Sequence, residues 1–100
     1  MRATYDPDVR AIAIGLGADT RHRQVREVAP NAWVGVRDGA PVLVEMIGVG
    51  SEDDEERLAA AARAFSLDGI ALVAAFRAAV AVPGRPVTIE VGASVPGAAA

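Results

Sequence analysis

One hundred residues suffice for one domain, and a core drawn from a chain that is 52% apolar but only 4% aromatic must be built from Val, Ile, Leu and Ala. There is no Cys and no Lys, which excludes disulfides, thiolate nucleophiles, Cys-based zinc sites, Schiff bases and a P-loop lysine. The net charge of −3 is divided as +1 over residues 1–40 and −4 over 41–100, a balance that disfavours nucleic acid as the main partner.

Residues 2–6 alternate weakly and stop at Asp6-Pro7-Asp8, a turn signal. Val9 to Leu16 follows, with Ile12, Ile14 and Leu16 on one face, so the two segments read as a first hairpin. Gly15, Gly17 and Asp19 loosen the chain into a loop. Arg23 to Ala29 fits either a short strand or a helical turn, and Pro30-Asn31 turns the chain again.

The stretch from Trp33 to Gly48 organises the rest. Two apolar runs, Trp33–Val36 and Val42–Ile47, flank Arg37-Asp38-Gly39. Asp-Gly between apolar runs predicts a hairpin closed by a type I′ turn, because both central residues must take φ > 0. Val42, Val44 and Met46 share one face, and Leu43, Glu45 and Ile47 the other. With a single charge in the run, this reads as a central strand covered on most of both sides.

After Gly48 the period changes. Ser51 followed by Asp54 resembles a capping box, and the acids at 52–56 suit the positive end of a helix dipole. Leu58, Ala61, Ala62 and Phe65 then fall on one helical stripe. Ser66 or Asp68 starts a second helix that runs to about Ala81, with Arg77 its only charge. A helix apolar nearly all round needs cover on every side, which points to a subunit interface through Ile70, Val73, Phe76, Arg77 and Val80. Pro83-Gly84 stops it, and residues 86–91 alternate as a last strand.

The expected fold is therefore α+β: an antiparallel β-meander of four to five strands, two helices packed on one face, and a C-terminal strand. Residues 1–92 form one domain, divided into the meander (1–48), the two helices (51–82) and the last strand (86–91), with 93–100 a flexible tail. No apolar run is long enough to span a bilayer, and MRATYDPDVR lacks the apolar centre of a signal peptide, so the expected location is cytoplasmic.

Chemistry is sparse. His22, the only histidine, lies between Arg21 and Arg23 and reads as a solvated residue rather than a general base. The run Glu52-Asp53-Asp54-Glu55-Glu56 lacks the spacing of a calcium loop. Gly48-Val49-Gly50-Ser51 lacks the third glycine of a dinucleotide fingerprint, and the acids after it would repel a phosphate. Ser51, Ser66 and Ser94 occupy caps and turns. Arg21, Arg23 and Arg26 form the one basic cluster, either a guarded strand edge or a weak nucleic-acid patch with no aromatic residue between them to stack bases. The expectation is no enzyme, no cofactor and no metal.

Tyr5-Asp6-Pro7, Ala11, Ile14, Glu27, Asp38-Gly39 and Val44-Glu45-Met46 come in an order and spacing that resembles the YuzE-like domain, a family of small bacterial proteins of unknown function; the resemblance covers residues 1–48. It departs at Arg10, Ala13, Gly35 and Leu43, where the family usually has Asp, Tyr, Asp and Gly. The resemblance implies a small β-sheet domain with no established activity and, since some members lie beside small toxin-like genes, an antitoxin-like or partner-binding role. Together with the acidic C-terminal half, it leads to a non-enzymatic interaction module, homodimeric through the second helix, whose partner is a small basic protein. The alternative is a nucleic-acid-binding regulator using Arg21, Arg23 and Arg26.

Overall fold

In the computed structural model, which describes residues 1–90, strands β1 (Arg2–Asp6), β2 (Ala11–Gly15), β3 (Gln24–Ala29), β4 (Ala32–Arg37), β5 (Ala40–Ile47) and β6 (Val87–Thr88) form one antiparallel sheet with helices α1 (Asp54–Phe65) and α2 (Gly69–Ala81). The α+β class is as expected, with six strands in the sheet. The strand order is β3-β4-β5-β2-β1-β6. Sequential pairing is thus broken twice, at β2 to β3 and at β5 to β6, so the sheet is not the simple meander expected, and β6 pairs with β1. Strand β2 lies beside β5 rather than β3, and residues 16–23 cross the sheet to reach its far edge. The predicted flexible tail lies outside the described residues, as does Val91 of the last strand.

Local chemistry accounts for most of the turns. Asp38 and Gly39 have φ of 52° and 80°, the two positive values that a type I′ hairpin requires. Arg10 and Asn31 take positive φ at the turns before β2 and β4. The segment at 23–29 is a strand, β3, and not a helical turn.

Helix starts differ from the expected capping box in one respect. Asp54, the first residue of α1, accepts from the backbone N–H groups of Gly50 (2.8 Å) and Ser51 (3.4 Å), so a side chain reaches back to orphan donors as a capping box requires. The Ser51 hydroxyl, however, donates to Asp54 and Asp53 instead of accepting from the helix backbone. At α2 the cap is Asp68, whose carboxylate accepts from Ala71 N–H at 3.0 Å; Ser66 instead closes α1 in the left-handed conformation.

Both helices lie on one face of the sheet. Helix α1 packs over β3 and β4, and α2 over β1, β2 and β6. Between them and the sheet sit Ile12, Ile14, Val34, Val44, Met46, Leu58, Leu72 and Phe76, all buried. Each such side chain contributes about 1.5–3 kcal/mol by leaving water.

Part of the expected α2 interface is taken up within the chain. Phe76 is 7% exposed and belongs to this core, and Val73 and Val80 pack against it half-buried. A six-stranded sheet is wide enough to cover most of α2 from within the chain. Of the proposed interface residues only Ile70 and Arg77 are left on the outer side.

A buried ion pair joins the layers. Arg57, 5% exposed, donates to the carbonyls of Ile47 (2.8 Å), Asn31 (3.1 Å) and Pro30 (3.3 Å) and to Asp54 Oδ1 (2.9 Å). It ties the end of β5 and the β3–β4 turn to the start of α1. Burial pushes the Asp54 carboxyl up, but donors from Gly50, Arg57 and Ser51 outweigh it and hold the group below the usual carboxylate range.

Candidate functional site

The face of the sheet away from the helices has no helix over it among the described residues. Its residues follow from the strand register. Glu27 pairs with Trp33, Trp33 with Glu45, Glu45 with Ala13 and Ala13 with Thr4, making one row across five strands. The next row holds Val25, Gly35, Leu43, Gly15 and Arg2, and a third holds Ile47, Ala11 and Asp6. Strand β5 is central as expected, with helices over one side and only partial cover on the other: Val44 and Met46 are buried, Leu43 is half-buried, and Glu45 and Ile47 are exposed.

This open face is mixed, its apolar side chains interspersed with exposed Arg2, Thr4, Asp6, Glu27 and Glu45. Val25 is 55% exposed, Ile47 is exposed, and Trp33, Leu43, Ala11 and Ala13 are half-buried. The crossover 16–23 forms a wall along it, hydrogen-bonded at its ends by Leu16 N–H to Val42 O (3.0 Å) and Arg23 N–H to Val36 O (3.4 Å). Two glycines make room for that wall. A Cβ on Gly15 would lie 2.8 Å from Thr20 Cγ2, and one on Gly35 would lie 2.8–3.0 Å from the His22 ring. Between the wall and β1 runs a cleft of about 650 Å³ whose lining includes Thr4, Ala13, Gly15, Leu43 and Thr20.

His22 lies within hydrogen-bonding reach of a backbone carbonyl, with Nδ1 3.0 Å from Thr20 O. It lines a second cleft of about 600 Å³ with Arg21, Arg23 and Arg37 at the end of the β4–β5 hairpin. Two of those arginines are already engaged. Asp19 Oδ2 is 2.7 Å from Arg21 and 2.8 Å from Arg37. Side-chain and backbone hydrogen bonds from Arg21 hold the Asp19 carboxyl far below the usual range. No carboxylate orients His22, so the geometry supplies no base–orienter pair.

The basic cluster expected from sequence does not assemble. Arg26 pairs with core residue Val34 and therefore faces the helices, with its guanidinium 5.6 Å from the Phe65 ring centroid. Arg21 and Arg23 lie on the crossover and its junction with β3. Alternation along β3 separates Arg26 from them, so the three form no common surface. On α2, Ile70 is 87% exposed beside Ala74 and Arg77, and Arg77 is ion-paired with Glu55 at 2.8 Å.

Sequence reasoning missed the open face because it read β5 as covered on most of both sides. The signal was present in Glu45, a charge in the middle of the longest strand. Among the described residues no group of His, Asp and Glu is placed to hold a metal ion, and no helix is long and apolar enough to cross a membrane. No known family model, curated protein or solved structure matches the chain.

Proposed function

We propose that this chain is a non-enzymatic protein-interaction module, that the open face of its sheet is the docking surface, and that the partner is a small basic protein held in an antitoxin-like manner. The observation that carries this reading is the set of apolar side chains on the face, Val25, Trp33, Leu43, Ala13 and Ile47, among three carboxylates, Glu27, Glu45 and Asp6, and one cation, Arg2. Exposed contiguous apolar surface marks interaction sites, and the acids favour a cationic occupant by steering and complementarity. The resemblance of residues 1–48 to the YuzE-like domain leads to the same class of role.

A homodimer through α2 is the second reading, and Ile70 is what favours it, a large apolar side chain at 87% exposure. One experiment separates the two. The chain is purified from its native host at low salt as wild type, as Val25→Ser/Ile47→Ser and as Ile70→Asp, with the mass of each complex measured by light scattering. The open-face reading expects a stoichiometric basic protein with wild type and Ile70→Asp, lost from Val25→Ser/Ile47→Ser at unchanged melting temperature. A dimer abolished only by Ile70→Asp would move the interface to α2. A wild-type monomer with nothing bound would end both.

A further inference from the structure

Glu27 and Glu45 stand on either side of Trp33 in one cross-strand row, on β3, β5 and β4 respectively. Neighbouring strands lie about 4.8 Å apart, so the two carboxylates arise from backbones roughly 10 Å apart with the indole between them. Both acids are exposed and Trp33 is half-buried. All ten cationic side chains of the chain are arginines within the described residues, and none forms an ion pair with Glu27 or Glu45. Three of the thirteen acids have ion-pair partners, Asp19 with Arg21 and Arg37, Asp54 with Arg57, and Glu55 with Arg77, so what sets Glu27 and Glu45 apart is the indole between them.

Two unpaired carboxylates flanking an aromatic ring beside apolar side chains, in a row that runs from the edge strand β3 inward to β5, suit one kind of occupant. A cation over an indole is attracted by the ring quadrupole. A guanidinium is planar, stacks on aromatic faces, and carries donors in more than one direction, so it can reach acids on both sides of the ring. An ammonium is a compact point charge and would engage one side at a time.

Resting on the interaction-module reading above, we infer that the Glu27–Trp33–Glu45 row is the receptor for an arginine side chain of the partner. The surrounding Val25, Leu43, Ala13 and Ile47 take that partner's neighbouring apolar side chains. The occupant is thus an amphipathic segment presenting arginine among aliphatic residues.

Trp33 is the only tryptophan, so its emission reports the row directly. The probes are an 18-residue amphipathic helical peptide of Leu and Arg, and its Leu/Lys and Leu/Glu counterparts, titrated at low salt with calorimetry alongside. The expected result is a saturable change in Trp33 emission with the Leu/Arg peptide, weaker binding of Leu/Lys and none of Leu/Glu. Glu27→Gln/Glu45→Gln should lower the Leu/Arg affinity about tenfold or more, the loss expected when charged hydrogen bonds are removed, with melting temperature unchanged. Glu52→Gln/Glu56→Gln, which removes the same net charge at the start of α1, should bind like wild type.

Equal binding of Leu/Arg and Leu/Lys would overturn the guanidinium assignment. An equal loss in the Glu52/Glu56 control would reduce the effect to bulk attraction and overturn the receptor. Undiminished binding by Glu27→Gln/Glu45→Gln, still lost in Val25→Ser/Ile47→Ser, would overturn the receptor and leave open-face docking standing. No heat and no emission change with any peptide would sink both.

Discussion

The two faces of the sheet are made by alternate residues of the same strands, yet they are chemically different. The covered face is Ile12, Ile14, Val34, Val44 and Met46, sealed by Leu58, Leu72 and Phe76. The open face is Gly15, Gly35, Ala11, Ala13, Thr4 and Leu43, with Trp33 set between two acids. One side is filled with branched and long side chains that interlock. The other is kept low by small residues, so that a crossover, and on our reading a partner, can approach the backbone. Burial on the first face specifies the fold; small size and charge on the second leave a surface to be used.

That contrast can be broken at several points. Phe76→Asp places a carboxylate in the covered face and should abolish cooperative unfolding altogether, since an unpaired buried charge is among the costliest substitutions; a folded, dispersed NMR spectrum would show that α2 is not part of the core. Arg57→Met should cost about 3–5 kcal/mol in urea unfolding, because Asp54 would be left buried without its cation.

The acid dependence gives the same pair a second test. Asp54 has a lowered folded-state pKa, so its contribution is complete above the unfolded value of about 4 and is lost as pH falls through the folded value. Asp54→Asn should flatten the acid limb of the stability profile, and an unchanged limb would assign it to other carboxylates. Gly35→Ala is the smallest intervention, forcing a Cβ into the His22 ring at a cost of about 1–3 kcal/mol. Adding His22→Ala should recover much of that loss in thermal melts; no recovery would mean the glycine serves the backbone rather than the crossover.

Much of the covered face was legible from residues alone. Alternation placed Ile12, Ile14, Val44 and Met46 on one side, Asp38-Gly39 identified its turn, and the helical stripe of Leu58 and Ala61 marked the packed side of α1. Long-range order was not legible. Nothing in VRAIAIGL says that its neighbour is β5, because pairing partners are chosen by the whole sheet and not by local pattern. The same gap bears on α2, whose apolar circumference suggested a second subunit and whose Leu72, Phe76 and Ala79 are absorbed by a six-stranded sheet. Arg26 joined a basic cluster on sequence proximity, and the two-residue period of β3 sent it to the opposite side.

The crossover at 16–23 also orders the events of synthesis. Strands β1 and β2 can zip as a local hairpin as soon as Gly15 emerges, but Ala11 and Ile12 must wait for Ile47 and Met46 before β2 gains its other neighbour. Until then that hairpin offers an unpaired edge, and the loop-closure entropy of the intervening chain must be met before the central pairing is rewarded. Refolding should therefore be limited by docking two preformed units across β2 and β5. A nascent chain paused before β5 is complete would be at its most prone to misassociation.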